Sequence, residues 1–392
     1  MFNKLRLLTP GPTPLPETVR LALARDMIHH RKAEFQEIMR GTQKKLQELF
    51  GTVNQVLPLA SSGTGAMTAA AGNLFAPGEE VLIVEAGKFG ERWKEIALSC
   101  GLVPHVMAVE WGEAVSAEKI EAALIEKPEI RGLFVQLCET STGVLMPIEK
   151  IGKICSKRNV LLIVDGISAV GISPCPMDEW NIDCLLTGSQ KGLMLPPGLA
   201  LISLSEKAWD KADSIKPACF YFDLKAERKN IAKGQTHFTT PVNLIFGLQA
   251  SLKLLLSEGL EEIYRHQWAL TMLVRNGASA MGLKLFVQKN FAWGLTSICL
   301  PENISGSALL AHMQENYGVC IAGGQDILKN RIVRFGHMGW VDWGDCISGL
   351  TALAEALSAL SSFAPEKGWL EKAMEAYTGA MNQAPAAFMN EE

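Results

Sequence analysis

A lysine in apolar surroundings and an aspartate closing an apolar run offer the first chemistry in this sequence. Lys191 follows Thr187–Gly188–Ser189–Gln190 and precedes a Gly-Leu-Met-Leu-Pro-Pro-Gly segment that redirects the chain. Removal from water disfavours an ammonium, which suits an amine that must attack a carbonyl and form a Schiff base. Asp165 ends the run Leu161–Val164, where its charge is costly unless a cation faces it. A protonated pyridine nitrogen is such a cation. Singly, a lysine is most often a solvated surface group and a strand-end Asp a turn former. Their placement on one edge of a sheet reverses that reading.

Two further segments join them. Ser61–Ser62–Gly63–Thr64–Gly65 lies between the apolar run Val56–Ala60 and a helical pattern. A glycine-rich turn at a helix start offers close backbone approach, free N–H groups and a positive dipole end to a phosphate, although the same segment also suits a plain capped turn. Arg334, in Arg331–Gly339, presents a planar guanidinium to a carboxylate, the handle of an amino or keto acid, or else makes a surface ion pair. His337 in the same run reads as a satisfied histidine.

These groups need strands to carry them. Between residues 56 and 205, Val56–Ala60, Glu79–Glu85, Val103–Glu110, Arg131–Glu139, Asn159–Gly166 and Ile182–Gly188 read as buried parallel strands, alternating with helical stretches. That order predicts a doubly wound α/β sheet, with ligands at the carboxyl ends of the strands. A helical pattern runs from Glu17 to Asp26 and onward to Phe50, and another from Thr240 to Tyr264 and beyond. The expected division is an N-terminal arm over 1–20, a large α/β unit over 21–255 and a smaller α+β unit over 256–392, ending in a terminal helix.

Bulk properties narrow the class. The chain has 392 residues, 48% hydrophobic and 20% charged, with a formal net charge of −4, which argues against a nucleic-acid binder. No apolar run approaches the roughly 18 residues of a membrane span, and the opening residues lack signal-peptide features. Nine scattered cysteines show no CxxC pair and no metal-ligand spacing, so a reduced cytoplasmic protein without a metal site is expected.

In order and spacing, Leu8–Pro16, His29–Phe35, Ser61–Gly65, Lys88–Trp93, Glu139–Pro147, Val164–Gly171, Thr187–Gly198, Thr236–Pro241 and Arg331–Gly339 resemble the class V aminotransferases of the fold-type-I pyridoxal phosphate enzymes. The alanine–glyoxylate, serine–glyoxylate and serine–pyruvate branch is the most similar. The resemblance implies pyridoxal 5′-phosphate as cofactor, Lys191 as Schiff-base lysine and proton shuttle, and Asp165 at the pyridine nitrogen. It implies Phe89 stacked on the ring, Ile167 on the opposite face, and Thr140 hydrogen-bonded to the cofactor. Ser62, Gly63, Thr64 and Gln190 match the phosphate cradle, and Thr239 a phosphate contact given by the neighbouring subunit of a homodimer with shared sites. Arg334 would hold the substrate carboxylate, helped by backbone near Pro10 and Gly11. Relatives often carry a tyrosine shortly before that threonine; here the chain reads Gln235–Thr236–His237–Phe238.

The implied reaction moves an amino group from alanine or serine to glyoxylate or pyruvate in two half-reactions. One plainly placed arginine favours a small monoacid, with Arg31 a candidate second cation for a dicarboxylate. Aspartate or aminophosphonate transamination is the neighbouring alternative. Cysteine desulfurase-like lyases, for which Cys320 is a candidate, commonly have His directly before the lysine, where this chain has Gln190. A non-catalytic scaffold subunit has no need of Lys191, Asp165 and Arg334 together.

Overall fold

The computed structural model describes residues 4–217, 219–302 and 304–383. Its central sheet has seven strands: β1 (Val56–Leu59), β2 (Glu80–Glu85), β3 (Val103–Ala108), β4 (Gly132–Gln136), β5 (Leu161–Asp165), β6 (Cys184–Gly188) and β7 (Ala200–Leu204). Their order is β1-β7-β6-β5-β4-β2-β3. All neighbours are parallel except β7, which runs against both β6 and β1. β4, β5 and β6 are buried throughout, as strands covered on both faces by helices must be. The register sets Asp165 level with Gln136 on one side and Leu186 on the other.

Four expectations change. β1 is antiparallel to its partner, because the unanticipated β7 is inserted between it and β6. β3 is an edge strand whose residues are all exposed or half-buried rather than buried. The first helical region is two helices, Glu17–Leu23 and Ala33–Phe50. Between them Arg31 spends its guanidinium on Gln235 Oε1 and the His237 carbonyl, both at 3.3 Å. The later long helix also breaks: Val242–Leu255 ends where Ser257 caps the Leu254 carbonyl, and Leu260–Ala280 starts after Gly259 at φ 88°.

A second sheet, β8 (Leu295–Cys299), β9 (Ala322–Gly323) and β10 (Ile332–Gly336), has the order β8-β10-β9 and is antiparallel. The helix Trp343–Leu360 lies over it, with Gly349 pressed so closely on Phe335 that a Cβ there would fall 2.5 Å from the ring. The helix Trp369–Met381 buries Ala373 against Gly277 of Leu260–Ala280, so the tail helix is packed in place. One apolar cluster fills the large sheet, including Phe35, Trp93 and Phe134, and a second centres on Phe335 and Leu350. A third, with Ile172, Trp268, Trp293 and Met338, joins them. Each buried residue of that size contributes roughly 1.5–3 kcal/mol.

The start of the N-terminal arm packs with this second body, whereas Val19 lies in the large cluster. Arg6–Leu7 pairs in parallel with Val319–Cys320, Leu8 is buried in the second cluster, and Gly336 N–H donates to the Leu8 carbonyl at 2.7 Å. That anchoring delivers Pro10–Thr13 to the carboxyl edge of the large sheet.

Candidate active site

Lys191 leaves β6 through a turn and is buried, 7% exposed. Its Nζ donates to the Pro10 carbonyl. Thr13 holds the same stretch by its N–H to the Gln190 carbonyl at 3.1 Å and its hydroxyl to the Lys191 carbonyl at 3.0 Å. Gly11, at φ +103°, lies so close that a Cβ would fall 2.6 Å from Lys191 Cδ. Burial lowers the ammonium to about 8, with nearby Asp165 pulling the other way and Arg334 reinforcing the fall. The amine is thus partly neutral near pH 8, the condition for a nucleophile and proton carrier.

Asp165, the last residue of β5, is 4% exposed and accepts one hydrogen bond, from Ile167 N–H at 2.8 Å. Among the described residues no cation lies within ion-pair distance. Burial raises its carboxyl to about 7, despite the Ile167 bond, while Glu139 adds to the rise and Lys191 and Arg92 oppose it. A fixed cation at this carboxylate would restore its charge.

The candidate phosphate seat is the start of the helix Gly63–Leu74. Ser62 is the extended N-cap residue and its side chain makes no cap bond, so the first N–H groups have no side-chain acceptor. Gly63 lets the turn approach Ile167 closely, since a Cβ would meet Ile167 Cδ1 at 2.3 Å and push that side chain aside. Gln190 has a buried amide oxygen without a partner. Thr64 Oγ1 accepts from Arg92 at 3.4 Å, and the Arg92 guanidinium lies 4.8 Å from the Phe89 ring centre. An anion-binding helix start, a carboxyl lacking a cation and a buried lysine amine fit a group that is anionic at one end, cationic at the other and carbonyl-bearing between.

Thr140 bonds Ser168 hydroxyl to hydroxyl at 2.6 Å, and its carbonyl accepts from Arg334 Nη1 at 2.9 Å. Arg334, on β10, also donates from Nε to the Gly323 carbonyl at 2.9 Å. It is 8% exposed, and no carboxylate among the described residues pairs with it. Burial lowers its pKa, with Glu139 opposing. A guanidinium aligned by two carbonyls and lacking a counter-anion is prepared for an external carboxylate.

Other candidates lie apart. Thr239 is exposed on a cleft walled by Leu59, Ala60, Phe222 and Phe238, with no bond to the phosphate turn. Thr236 is buried and bonds the Phe238 carbonyl at 2.7 Å. Arg31 is committed to residues 235–237 and reaches no part of the site. Cys320 sits in the strand pair with Leu7. His337 is fully buried between Thr296, 2.9 Å from Nε2, and Gln267, 3.3 Å from Nδ1, with burial holding its pKa down near 3. Sequence reading passed over Thr13, Arg92, Ser168 and Glu139. Of these, only Glu139, an acid closing an apolar strand as Asp165 does, carried a signal.

The fold and this group of residues define a transaminase of the fold-type-I architecture. The chain belongs to the class-V aminotransferase family, whose pattern spans residues 18–341. It is 37% identical to the soluble hydrogenase small subunit of Synechococcus sp. (strain PCC 6716), over 94% of this chain and 97% of that protein. It is 32% identical to the L-aspartate–glyoxylate aminotransferase of Paracoccus denitrificans, over 92% of each. The crystal structure of the alanine–glyoxylate aminotransferase of Nostoc sp. superposes with a TM-score of 0.86 at 30% identity, over 91% of this chain and 96% of that one. The protein is a pyridoxal 5′-phosphate-dependent transaminase. Among the described residues no helix is long and apolar enough to cross a membrane.

Proposed function

We propose that the enzyme transfers the amino group of a small monocarboxylic amino acid, alanine or serine, to glyoxylate or pyruvate. The observation that carries this reading is the solitary Arg334 guanidinium, fixed by Thr140 and Gly323 carbonyls and left without an acidic partner. A dicarboxylate donor needs a second available cation. Lys88 is held by Glu91 and Asp326, at 2.7 and 2.9 Å, and Arg92 is engaged with Phe89 and Thr64. Glyoxylate as acceptor draws support from the two relatives named for it.

Bound pyridoxal 5′-phosphate supplies an electron sink that weakens the bond from the amino acid's α-carbon to hydrogen. In this reading Lys191 would be its covalent attachment point, and the Lys191 amine, once released by the incoming amino acid, would accept the α-proton and hold it for return. Asp165 keeps a positive charge on the ring nitrogen, Phe89 and Ile167 confine the ring, and Thr140 holds its phenolic edge. Ser62, Gly63, Thr64 and Gln190 seat the phosphate. Arg334 and the Gly11 backbone align the substrate carboxylate. Exposed Thr239 serves the phosphate of a second subunit, which makes the working form a homodimer with the arm, large and small units divided near residues 20 and 255. Nine free cysteines, five of them buried, suit a reducing, cytoplasmic compartment.

The test is an amino-donor panel of alanine, serine, aspartate and 2-aminoethylphosphonate, each against glyoxylate and pyruvate. Alanine or serine should give the highest kcat/KM. Preference for aspartate or the phosphonate overturns the donor assignment. Light scattering that shows a fully active monomer overturns the shared site.

A further inference from the structure

Glu139 is a buried acid to which no role has been given. It is 0% exposed, yet it faces five donors. Ser141 gives its N–H at 3.1 Å and its hydroxyl at 2.5 Å, Gln136 its amide at 2.7 Å, and Phe89 and Gly90 their backbone N–H groups at 3.1 and 3.2 Å. Burial raises its carboxyl, and the Ser141, Gly90 and Phe89 donors oppose that rise.

The backbone donors are the first turn of the helix Lys88–Ser99. That helix has Gly87 at its N-cap and no side-chain cap of its own. Its open N–H groups are instead met from about fifty residues away: Lys88 N–H by Ser141 Oγ at 3.1 Å, Phe89 and Gly90 by Glu139. Two glycines permit the approach. A Cβ on Gly87 would fall 2.4 Å from Ser141 Oγ and 2.6 Å from Glu139 Cδ, and one on Gly90 would strike the Val84 carbonyl at 2.5 Å. The capped turn bears Phe89, and Arg92 follows one turn on, at Thr64.

We propose that Glu139 is a positioning residue for the cofactor: it caps the Phe89 helix from the end of the sheet and so sets the height of the Phe89 ring. Phe89 is held through its own backbone nitrogen, which is bonded directly to the Cα that carries its side chain. The preceding proposal that Phe89 stacks on the cofactor is the basis of this one.

Glu139→Gln keeps the shape but turns one acceptor into a donor facing donors. Cofactor-depleted protein is titrated with pyridoxal 5′-phosphate, and the visible circular dichroism of the loaded enzyme is recorded. E139Q should weaken binding about tenfold, the scale of one buried donor left unpaired, and change the visible dichroism. Phe89→Ala should weaken it similarly, and the double variant should lose no more than about twofold beyond F89A, because both act through one contact. Unchanged E139Q affinity and dichroism, or fully additive losses, overturn the role of Glu139 alone. Unchanged affinity of F89A overturns the stacking assignment, and the proposal with it. If E139Q does not fold, Ser141→Ala, which removes one donor and the Lys88 cap, replaces it under the same criteria.

Discussion

At the carboxyl ends of the neighbouring strands β4 and β5 lie two buried acids, Glu139 and Asp165, in different surroundings. Glu139 receives five donors, all from the protein. Asp165 receives one from the described residues, and burial drives its carboxyl up to about 7; burial raises Glu139 too, but there several donors oppose the rise. A carboxyl group beyond one strand is thus clamped by supplied donors, while one at the end of its neighbour keeps most of its acceptor capacity open. Hydrogen bonding, rather than burial, separates the two, since both are almost fully enclosed.

The open side of this comparison gives the larger effects. Lys191→Ala should abolish the visible band of the loaded enzyme and reduce turnover by roughly a thousandfold or more, read by single-turnover absorbance. Retention of a covalent band in the variant would falsify the attachment point. Asp165→Asn should lower kcat about a hundredfold while leaving cofactor bound, measured by steady-state kinetics.

The same variant tests the pH behaviour. The Asp165 carboxyl at about 7 in the cofactor-free fold lies above roughly 4 for an unfolded chain. Between those values the folded state binds more protons, so its stability falls as pH rises from about 4 to about 7. Thermal midpoints of cofactor-free wild type should therefore decline relative to D165N across that window, and parallel curves would contradict an unpaired carboxylate.

Smaller effects arise at the two ends of the substrate and cofactor. Arg334→Lys should raise KM for the amino acid about tenfold with little change in cofactor affinity, because an ammonium cannot reproduce the two-carbonyl alignment of the guanidinium. An equal loss in kcat and none in KM would assign Arg334 elsewhere. Gly63→Ala should weaken cofactor binding a few-fold by pushing on Ile167, and Gly63→Ala with Ile167→Val should recover part of that loss. No recovery would show that the cradle is disturbed by some other route.

Much of the candidate site could be assembled from local patterns. Lys191, Asp165 and Ser61–Gly65 announce themselves because strand, turn and helix are short-range patterns, and the chemistry stands at their junctions. Arg334 was a candidate from its side-chain type alone, and His337 is the satisfied buried histidine expected. β7 was not read as a strand, and its antiparallel insertion between β6 and β1 is a long-range pairing that no local pattern shows. The break at Gly259 was missed because helical periodicity continues on both sides of it.

The sequence by itself determined the alternation of strands and helices, the residues able to do chemistry and the order in which they meet the sheet edge. Only the tertiary structure decided which acid remains open. The donors to Glu139 come from residues 89 and 90, 50 and 49 positions away, as well as from nearby Gln136 and Ser141. It also brought Pro10 and Thr13 onto Lys191, 181 and 178 positions distant. Both outcomes depend on which backbone groups are left unpaired after the sheet and helices form, and that is settled by packing across the chain.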